Sequence, residues 1–168
     1  MRVAVTGTPG TGKTTATDLV DTSLAVVHLN NVIRKEGLTQ GRDSDRDSEI
    51  ADMEAVAAWL DGREDVIFES HLAHRFDADR VVVLRCHPAE LESRLAERSE
   101  SESSVAENAE SEALDLILIE AVERHGRDSV YEIQTTDRPP ADVAADIEAA
   151  IEGVREPSAG TVSYVDYL

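Results

Sequence analysis

Short runs of apolar and β-branched residues recur along the chain, and segments with apolar side chains at three- and four-residue spacing separate them. The short runs predict buried strands, and the longer spacing predicts amphipathic helices. Five strands are predicted, at residues 2–6, 24–29, 66–68, 80–85 and 129–135. Because the strands alternate with helices, we expect one α/β domain built on a five-stranded parallel sheet.

The predicted helices begin and end at residues that favour helix termini. Pro88 opens one helix and Pro139-Pro140 opens the last, since proline suits the first turn. The other helices are predicted over 15–22, over 32–36 after a cap at Asn30 or Asn31, from Asp47 to Leu60, and as one long helix from Val105 through Val122. We expect a solvated loop at 39–48. The tail, residues 154–168, either packs on the domain or binds a partner.

The segment Gly7–Thr15 is a complete G-x-x-x-x-G-K-[ST] motif between the first strand and the first helix. Its glycines lack a Cβ atom, so backbone N–H groups can approach a polyphosphate closely. Lys13 supplies a positive charge for the β- and γ-phosphates, Thr14 a hydroxyl for a phosphate-bound Mg²⁺, and Thr15 a contact near the α-phosphate. The predicted residues of this nucleoside triphosphate site are Gly10, Gly12, Lys13, Thr14 and Thr15.

Polar side chains follow the third predicted strand, at the sheet edge where open parallel sheets bind ligands. Glu69 is predicted to hold Mg²⁺ through water, and His71 to orient an attacking or bridging water. The alternative for Glu69 is an ordinary surface carboxylate. His71 and His74 have a spacing found in zinc sites, but Cys86 is the only cysteine and no second ligand pair occurs, so we predict no zinc site.

Arg94 and Arg98 lie one helical turn apart after Pro88 and therefore share a face of their predicted helix. We predict that both guanidinium groups contact phosphate oxygens during catalysis. The alternative is that they form surface ion pairs with Glu90 and Glu97, which are common and weak.

Acidic residues outnumber basic residues by 35 to 16, and the net charge is −19. The carboxylates are spread over every segment, which is typical of proteins adapted to molar salt and predicts a halophilic host; an ordinary acidic protein is the alternative. This charge argues against sequence-specific binding of nucleic acid through a basic surface. The chain has no apolar segment of membrane-spanning length and no leader pattern, so we expect a single-domain cytoplasmic protein without membrane contact.

Together these motifs resemble the adenylate kinase isoenzyme 6 family, which includes archaeal adenylate kinases. The resemblance covers residues 1 to about 153 and rests on GTPGTGKTT, LNNVIRKEGL followed by DSDRDSEIAD, Glu69-Ser70-His71, VVVLRCHPAELESRLAER and ENAESEALDLILIEA. It implies a P-loop NTPase fold of the three-layer, nucleoside monophosphate kinase type, with ATP as phosphate donor. It also implies a monophosphate-binding region at about 30–53, with Asn30 and Arg34, and a lid at about 97–108, where Arg98 contacts ATP.

The resemblance implies two kinds of function. Family members resemble broad-specificity monophosphate kinases, converting ATP and AMP to two ADP, that also hydrolyse ATP. They act in late maturation of the small ribosomal subunit and contact a platform ribosomal protein transiently. In this chain Ser99-Glu100 and Ser103-Ser104 replace the Gly-Tyr and Lys of the family's lid, which leaves fewer cations for the transferred phosphate. Two alternatives therefore stay open: a monophosphate kinase, or mainly an ATPase switch for ribosome assembly.

Overall fold

The strands of the protein form two separate sheets. The computed structural model describes residues 1–44 and 48–168, and its strands are β1 (Arg2–Thr6), β2 (Ala25–His28), β3 (Thr39–Asp43), β4 (Ser48–Ala51), β5 (Val66–Glu69), β6 (Arg80–Arg85) and β7 (Val130–Gln134). Five of them form a parallel sheet in the order β2-β5-β1-β6-β7, and β3 pairs with β4 in an antiparallel hairpin. The predicted α/β class and five-stranded parallel sheet are confirmed.

Helices cover both faces of the parallel sheet. They are α1 (Lys13–Asp18), α2 (Leu29–Glu36), α3 (Met53–Leu60), α4 (Pro88–Glu97), α5 (Glu102–Ala113), α6 (Leu116–His125) and α7 (Pro140–Glu152). Successive side chains of a strand point to opposite faces, so Val3 and Val5 pack with α1 and α7, while Ala4 packs with α2, α3 and α6. The result is the expected three-layer arrangement. No helix within the described ranges is long and apolar enough to cross a membrane.

The hairpin replaces most of the loop predicted at 39–48. The helix predicted from Asp47 begins at Met53, where the Asp52 side chain caps it by accepting a backbone N–H bond of 3.2 Å. Ile50 therefore lies in β4 and is 43% exposed. Its spacing to Met53 also fits a helical period, so the apolar pattern alone did not separate strand from helix. Residues 45–47, including the predicted helix start, lie outside the described residues.

Three further helix boundaries differ from prediction. The first helix, predicted over 15–22, is α1, which begins at Lys13 and ends at Asp18. α2 begins after His28, so Asn30 and Asn31 lie within its first turn and do not cap it. The long helix predicted from Val105 is two helices, α5 and α6, because Asp115 between them has a left-handed backbone with φ of 56°. Its Oδ1 accepts a hydrogen bond of 2.5 Å from Arg85. This partner lies 30 residues earlier, so the apolar sequence around the break did not reveal it.

The last residues pack on β7, one of the two edge strands of the parallel sheet. Ser158 N–H donates to the Val130 carbonyl at 3.0 Å, and the Ser158 hydroxyl accepts a bond of 3.0 Å from Glu132 N–H. Further along, Tyr164 is only 7% exposed. Of the two alternatives for the tail, the structure supports packing on the domain.

Candidate active site

The phosphate-binding loop joins β1 to α1 and depends on glycine. Gly7, Gly10 and Gly12 have φ values of 149°, 92° and 90°, which other residues rarely adopt. A Cβ atom on Gly7 would also lie 2.7 Å from the Leu84 carbonyl oxygen and 2.8 Å from the Thr11 hydroxyl. The loop therefore keeps its shape, and its backbone stays accessible, only with glycine at this position.

Lys13 points back into the loop. Its Nζ donates to the carbonyl oxygens of Gly7 at 2.9 Å and Thr8 at 3.2 Å. Burial lowers the pKa of Lys13 to about 8; the Glu69 carboxylate opposes this effect and the Arg98 guanidinium adds to it. The ammonium group is therefore well placed to exchange carbonyl oxygens for phosphate oxygens, whose charge would favour its protonated form.

A chain of hydrogen bonds runs from Thr14 to Asp18. Thr14 Oγ1 donates to Glu69 Oε1 at 3.0 Å, and the same carboxylate oxygen lies 2.8 Å from His28 Nδ1. His28 Nε2 lies 2.7 Å from Asp18 Oδ1. Burial alone would lower the pKa of His28, but its bonds to the two carboxylates outweigh burial and raise it. His28 thus favours the imidazolium form, which donates from both ring nitrogens and fixes the Glu69 carboxylate beside Thr14.

Glu69 was predicted from the sequence as a site residue, but His28 was not. The two residues end neighbouring strands, and the register of β2 on β5 pairs them directly. Ligands of parallel sheets bind beyond such strand ends, so the same rule that selected Glu69 also applies to His28. The sequence does not show which strands are neighbours, so it did not reveal that His28 lies beside Glu69.

His71 and His74 follow β5 but have different surroundings. His71 lines a cleft beside the loop, where burial, together with the charge of Lys13, lowers its pKa to about 4. The buried His74 instead has Nδ1 2.7 Å from Thr6 Oγ1 and Nε2 2.7 Å from Glu120 Oε2. His71 is therefore a neutral group beside the loop, whereas His74 ties the end of β1 to α6.

Arg94 of α4 and Arg98, which directly follows this helix, differ in their contacts, and contact with phosphate stays a prediction for both. Arg94 forms an ion pair with Glu90 and also donates to the Gly10 carbonyl at 3.2 Å, so it contacts the loop directly. Arg98 caps the C-terminus of α4 and lines the same cleft as Arg94. In the described part of the chain, Arg98 forms no ion pair with Glu97. Both guanidinium groups therefore lie where phosphate oxygens could reach them.

Two clefts flank the loop. The larger, of about 530 Å³, lies on the side of Gly10 and Gly12, and its walls include Arg94, Arg98, Arg138, Pro140 and Val143. The smaller, of about 320 Å³, opens at Thr8 and Pro9 on the other side, and its walls include His71, Arg75, Asn108 and Ser111. Ala16, Pro140 and Val143 give the larger cleft an apolar wall suited to a nucleotide base. The clefts thus offer space for one molecule on each side of the loop.

The predicted monophosphate-binding region, about 30–53, contains α2 and the β3–β4 hairpin. Asn30 and Arg34 are exposed on α2, and Arg34 donates a hydrogen bond to the Asn31 side chain. Neither Asn30 nor Arg34 lines the two clefts beside the loop. Their contact with a substrate stays a prediction.

The predicted lid, about 97–108, is a short turn between α4 and α5 followed by the first half of α5. Ser99 has a left-handed backbone with φ of 62°, and the Ser101 hydroxyl caps α5 by accepting a bond of 3.2 Å from Ser104 N–H. Ser104 in turn donates to Glu100 at 3.1 Å. Arg98 is the only basic residue in the sequence of this segment, so no other side chain of 97–108 supplies a positive charge.

Comparisons with known proteins identify the family. A family model described as AAA domain matches residues 3–115. A Natronomonas pharaonis protein named "Putative adenylate kinase" is 61% identical over 168 residues, and a Halobacterium salinarum protein of the same name is 62% identical over 169 residues; each alignment covers 100% of both chains. The chain belongs to this archaeal adenylate kinase family. Both organisms are halophilic archaea, which fits the acidic composition.

A solved structure supports the fold independently. Shikimate kinase from Acinetobacter baumannii in complex with shikimate superimposes with a TM-score of 0.60 over 92% of this chain and 94% of that chain, at 16% identity. At this identity the likeness concerns the fold alone. Together with the family model, it confirms the predicted P-loop fold.

Proposed function

We propose that this protein is a broad-specificity nucleoside monophosphate kinase that converts ATP and AMP to two ADP and also hydrolyses ATP. The main support is the pair of clefts that flank one phosphate-binding loop. Phosphoryl transfer needs a donor and an acceptor on either side of the transferred group, and the two clefts provide space for both. The names of the relatives and the kinase-like fold support a nucleotide kinase. Both proposed activities use nucleotides of the cytoplasm, where we expect the protein to act.

In this proposal the donor base lies in the larger cleft, against Ala16 and Val143, and the triphosphate follows the loop. Lys13 leaves the loop carbonyls and binds the phosphates, while Arg94 and Arg98 neutralise charge that develops during transfer. Catalysis then consists mainly of positioning and charge stabilisation, and no proton-abstracting base is strictly required.

The acceptor occupies the smaller cleft in this proposal. The region 30–53, with Asn30 and Arg34, closes over it, and the segment 97–108 closes over the donor with Arg98. Closure of this kind excludes water and aligns the two substrates in kinases of this type. His71 lines the smaller cleft as a neutral imidazole, so it would orient the water that hydrolyses ATP when no acceptor is bound.

The residues beside the loop fit a Mg²⁺ ion. The Thr14 hydroxyl and the Glu69 carboxylate are 3.0 Å apart, and Mg²⁺ prefers such oxygen ligands while keeping several waters. Mg²⁺ bound here would neutralise part of the negative charge of the donor phosphates. Thr14 and Glu69 would hold it, Glu69 through water, and His28 would keep the Glu69 carboxylate in place.

The test is an incubation with Mg²⁺ and ATP in concentrated KCl, with and without AMP, in which ADP and inorganic phosphate are measured separately. We expect ADP formation that depends on AMP and releases no matching phosphate. Lys13→Ala should abolish this activity and ATP binding, whereas Lys35→Ala, at the only other lysine, should still bind ATP. ADP formation that does not respond to AMP would overturn the kinase assignment.

A second candidate function is mainly an ATPase switch in late small-subunit rRNA processing and ribosome maturation, with transient contact to a platform ribosomal protein. The acidic segment around Ser99 and Glu100 favours it, because this lid offers Arg98 alone for a transferred phosphate. The acidic surface also suits a basic protein partner better than direct sequence-specific contact with RNA. Phosphate release that is equal with and without AMP, and that His71→Ala stops, would favour this switch over the kinase.

A further inference from the structure

The C-terminal strap, defined here as residues 157–168, covers the edge of the parallel sheet at β7. An edge strand presents unpaired backbone groups. Here the Ser158 hydroxyl accepts from Glu132 N–H at 3.0 Å, and the Ser158 N–H donates to the Val130 carbonyl at 3.0 Å. The strap therefore satisfies backbone groups of β7 that would otherwise face solvent.

The Glu132 side chain fastens the strap to the interior. Glu132 is 1% exposed, and its Oε2 accepts bonds from Thr161 N–H at 2.7 Å, Thr161 Oγ1 at 3.0 Å and Val162 N–H at 3.0 Å. Its Oε1 accepts a bond of 2.7 Å from Arg85 Nη1. One buried carboxylate thus joins the strap to the guanidinium group at the end of β6.

Tyr164 then connects the strap to Gln134, the last residue of β7, and to the segment after it. Its hydroxyl donates to Gln134 Oε1, and its ring lies 5.4 Å from the Arg85 guanidinium and packs edge-on against His87 at 5.3 Å. The Gln134 carbonyl accepts a bond of 2.9 Å from Arg138 Nη1, and Gln134 Oε1 also accepts from the hydroxyl of Thr136 at 3.0 Å. Gln134 is therefore held by the strap and in turn holds this segment.

The segment 134–138 forms one wall of the larger cleft. Thr135 and Arg138 line that cleft, and the Thr135 carbonyl accepts a bond of 3.2 Å from Arg94. No residue of 134–138 lines the smaller cleft. Any change in the position of this segment should therefore alter the donor side of the site and leave the acceptor side unchanged.

We propose that the strap is a working part of the donor site, in which Tyr164 is a positioning residue that fixes the wall 134–138 through Gln134. This inference rests on the proposed function only in naming the larger cleft as the donor site. It predicts that affinity for ATP depends on the strap, although the strap itself does not line the cleft.

Tyr164→Phe tests the inference, because it removes the hydroxyl that bonds Gln134 while keeping the ring against Arg85 and His87. Tyr167→Phe is the matched control: it removes a strap hydroxyl that bonds Glu92 on α4 instead. Binding is measured by calorimetric titration with a non-hydrolysable ATP analogue in concentrated KCl. Loss of one such hydrogen bond should weaken binding by about two- to tenfold in Tyr164→Phe, and by less than twofold in the control.

Kinetics and a double variant separate positioning from general destabilisation. For Tyr164→Phe we expect a higher KM for ATP with unchanged KM for AMP and unchanged kcat. Gln134→Ala combined with Tyr164→Phe should weaken analogue binding no more than Gln134→Ala alone, because both changes remove the same link. Melting temperatures of all variants are measured in parallel.

The inference is overturned if Tyr164→Phe binds the analogue as tightly as the wild type, whatever its melting temperature, or if Tyr167→Phe weakens binding equally. Equal increases in KM for ATP and AMP would also overturn it. If the wild type binds the analogue but forms no ADP from AMP, the kinase proposal fails, and the strap is then judged by the binding titration alone.

Discussion

Replacing Arg85 should destabilise this fold more than any replacement of a surface arginine. Its guanidinium donates to Glu112 Oε1 at 2.5 Å, Asp115 Oδ1 at 2.5 Å and Glu132 Oε1 at 2.7 Å. The side chains of Arg85, Glu112 and Glu132 are 2%, 3% and 0% exposed. Arg85→Met would therefore leave two carboxylates buried without their cation, in a place that joins β6, β7 and the break between α5 and α6.

Removing one partner of a buried ion pair typically costs about 3–5 kcal/mol, because the remaining charge is uncompensated. For a protein of this size, each kcal/mol lowers the melting temperature by about 2–4 °C, so Arg85→Met should lower it by about 6–20 °C. Arg124→Met is the matched control, since Arg124 and Asp77 form a pair with side chains 47% and 93% exposed. Such exposed pairs contribute about 0–1 kcal/mol.

The assay is unfolding by urea and by heat in concentrated KCl. Adding Glu132→Gln to Arg85→Met should recover part of the loss, because a neutral amide replaces an uncompensated carboxylate. The reasoning is refuted if Arg85→Met unfolds at the same urea concentration as Arg124→Met, or if the second substitution lowers stability further.

Three further predictions concern the site. Folding lowers the pKa of His71 from 6.5 to about 4, so between these pH values the unfolded state binds more protons than the folded state. The free energy of unfolding should therefore fall as the pH decreases from 6.5 to 4. Urea unfolding of His71→Gln should lack this part of the pH dependence. Gly7→Ala should lower the free energy of unfolding, measured in urea, by at least about 2 kcal/mol, because its Cβ would lie 2.7 Å from a backbone oxygen. Gly41→Ala is the control: its Cβ would meet nothing within 4 Å, so its free energy of unfolding should stay within about 0.5 kcal/mol of the wild type. His28→Ala should raise the Mg²⁺ concentration needed for half-maximal activity by about tenfold with unchanged KM for AMP, because His28 fixes Glu69; an unchanged Mg²⁺ requirement would contradict this role.

Short stretches of sequence were sufficient to predict the parallel sheet and the phosphate-binding loop. Apart from β2, whose residues are exposed or half-buried, the strands of the parallel sheet are mostly buried, and all five predicted bounds agree with the structure to within two residues. The loop motif fixes backbone geometry directly, because left-handed φ values at Gly10 and Gly12 favour glycine whatever the rest of the chain does. Features that depend on a short stretch of sequence were therefore predictable.

Features that depend on partners far away in the sequence could not be predicted from the sequence. The break at Asp115 is stabilised by Arg85, and His28 belongs to the site because β2 pairs with β5. The strap is held by Glu132, and the residues adjacent to Glu132 in the sequence did not indicate that its carboxylate would be buried. In each case the sequence contains the residue, but its role follows from a contact that only the assembled sheet creates.

The distribution of charge explains how a strongly acidic chain can keep an anion-binding site. Lys13 makes its bonds inside the protein and the half-buried Arg94 bonds the carbonyls of Gly10 and Thr135, so salt screens these interactions less than those of exposed charges. Most carboxylates of the described residues instead lie on the surface, where their mutual repulsion is strongly screened by salt. Concentrated salt should therefore relieve the repulsion that loosens the fold while preserving most of the attraction between the loop and a nucleotide, so stability should respond to KCl more steeply than ATP affinity does.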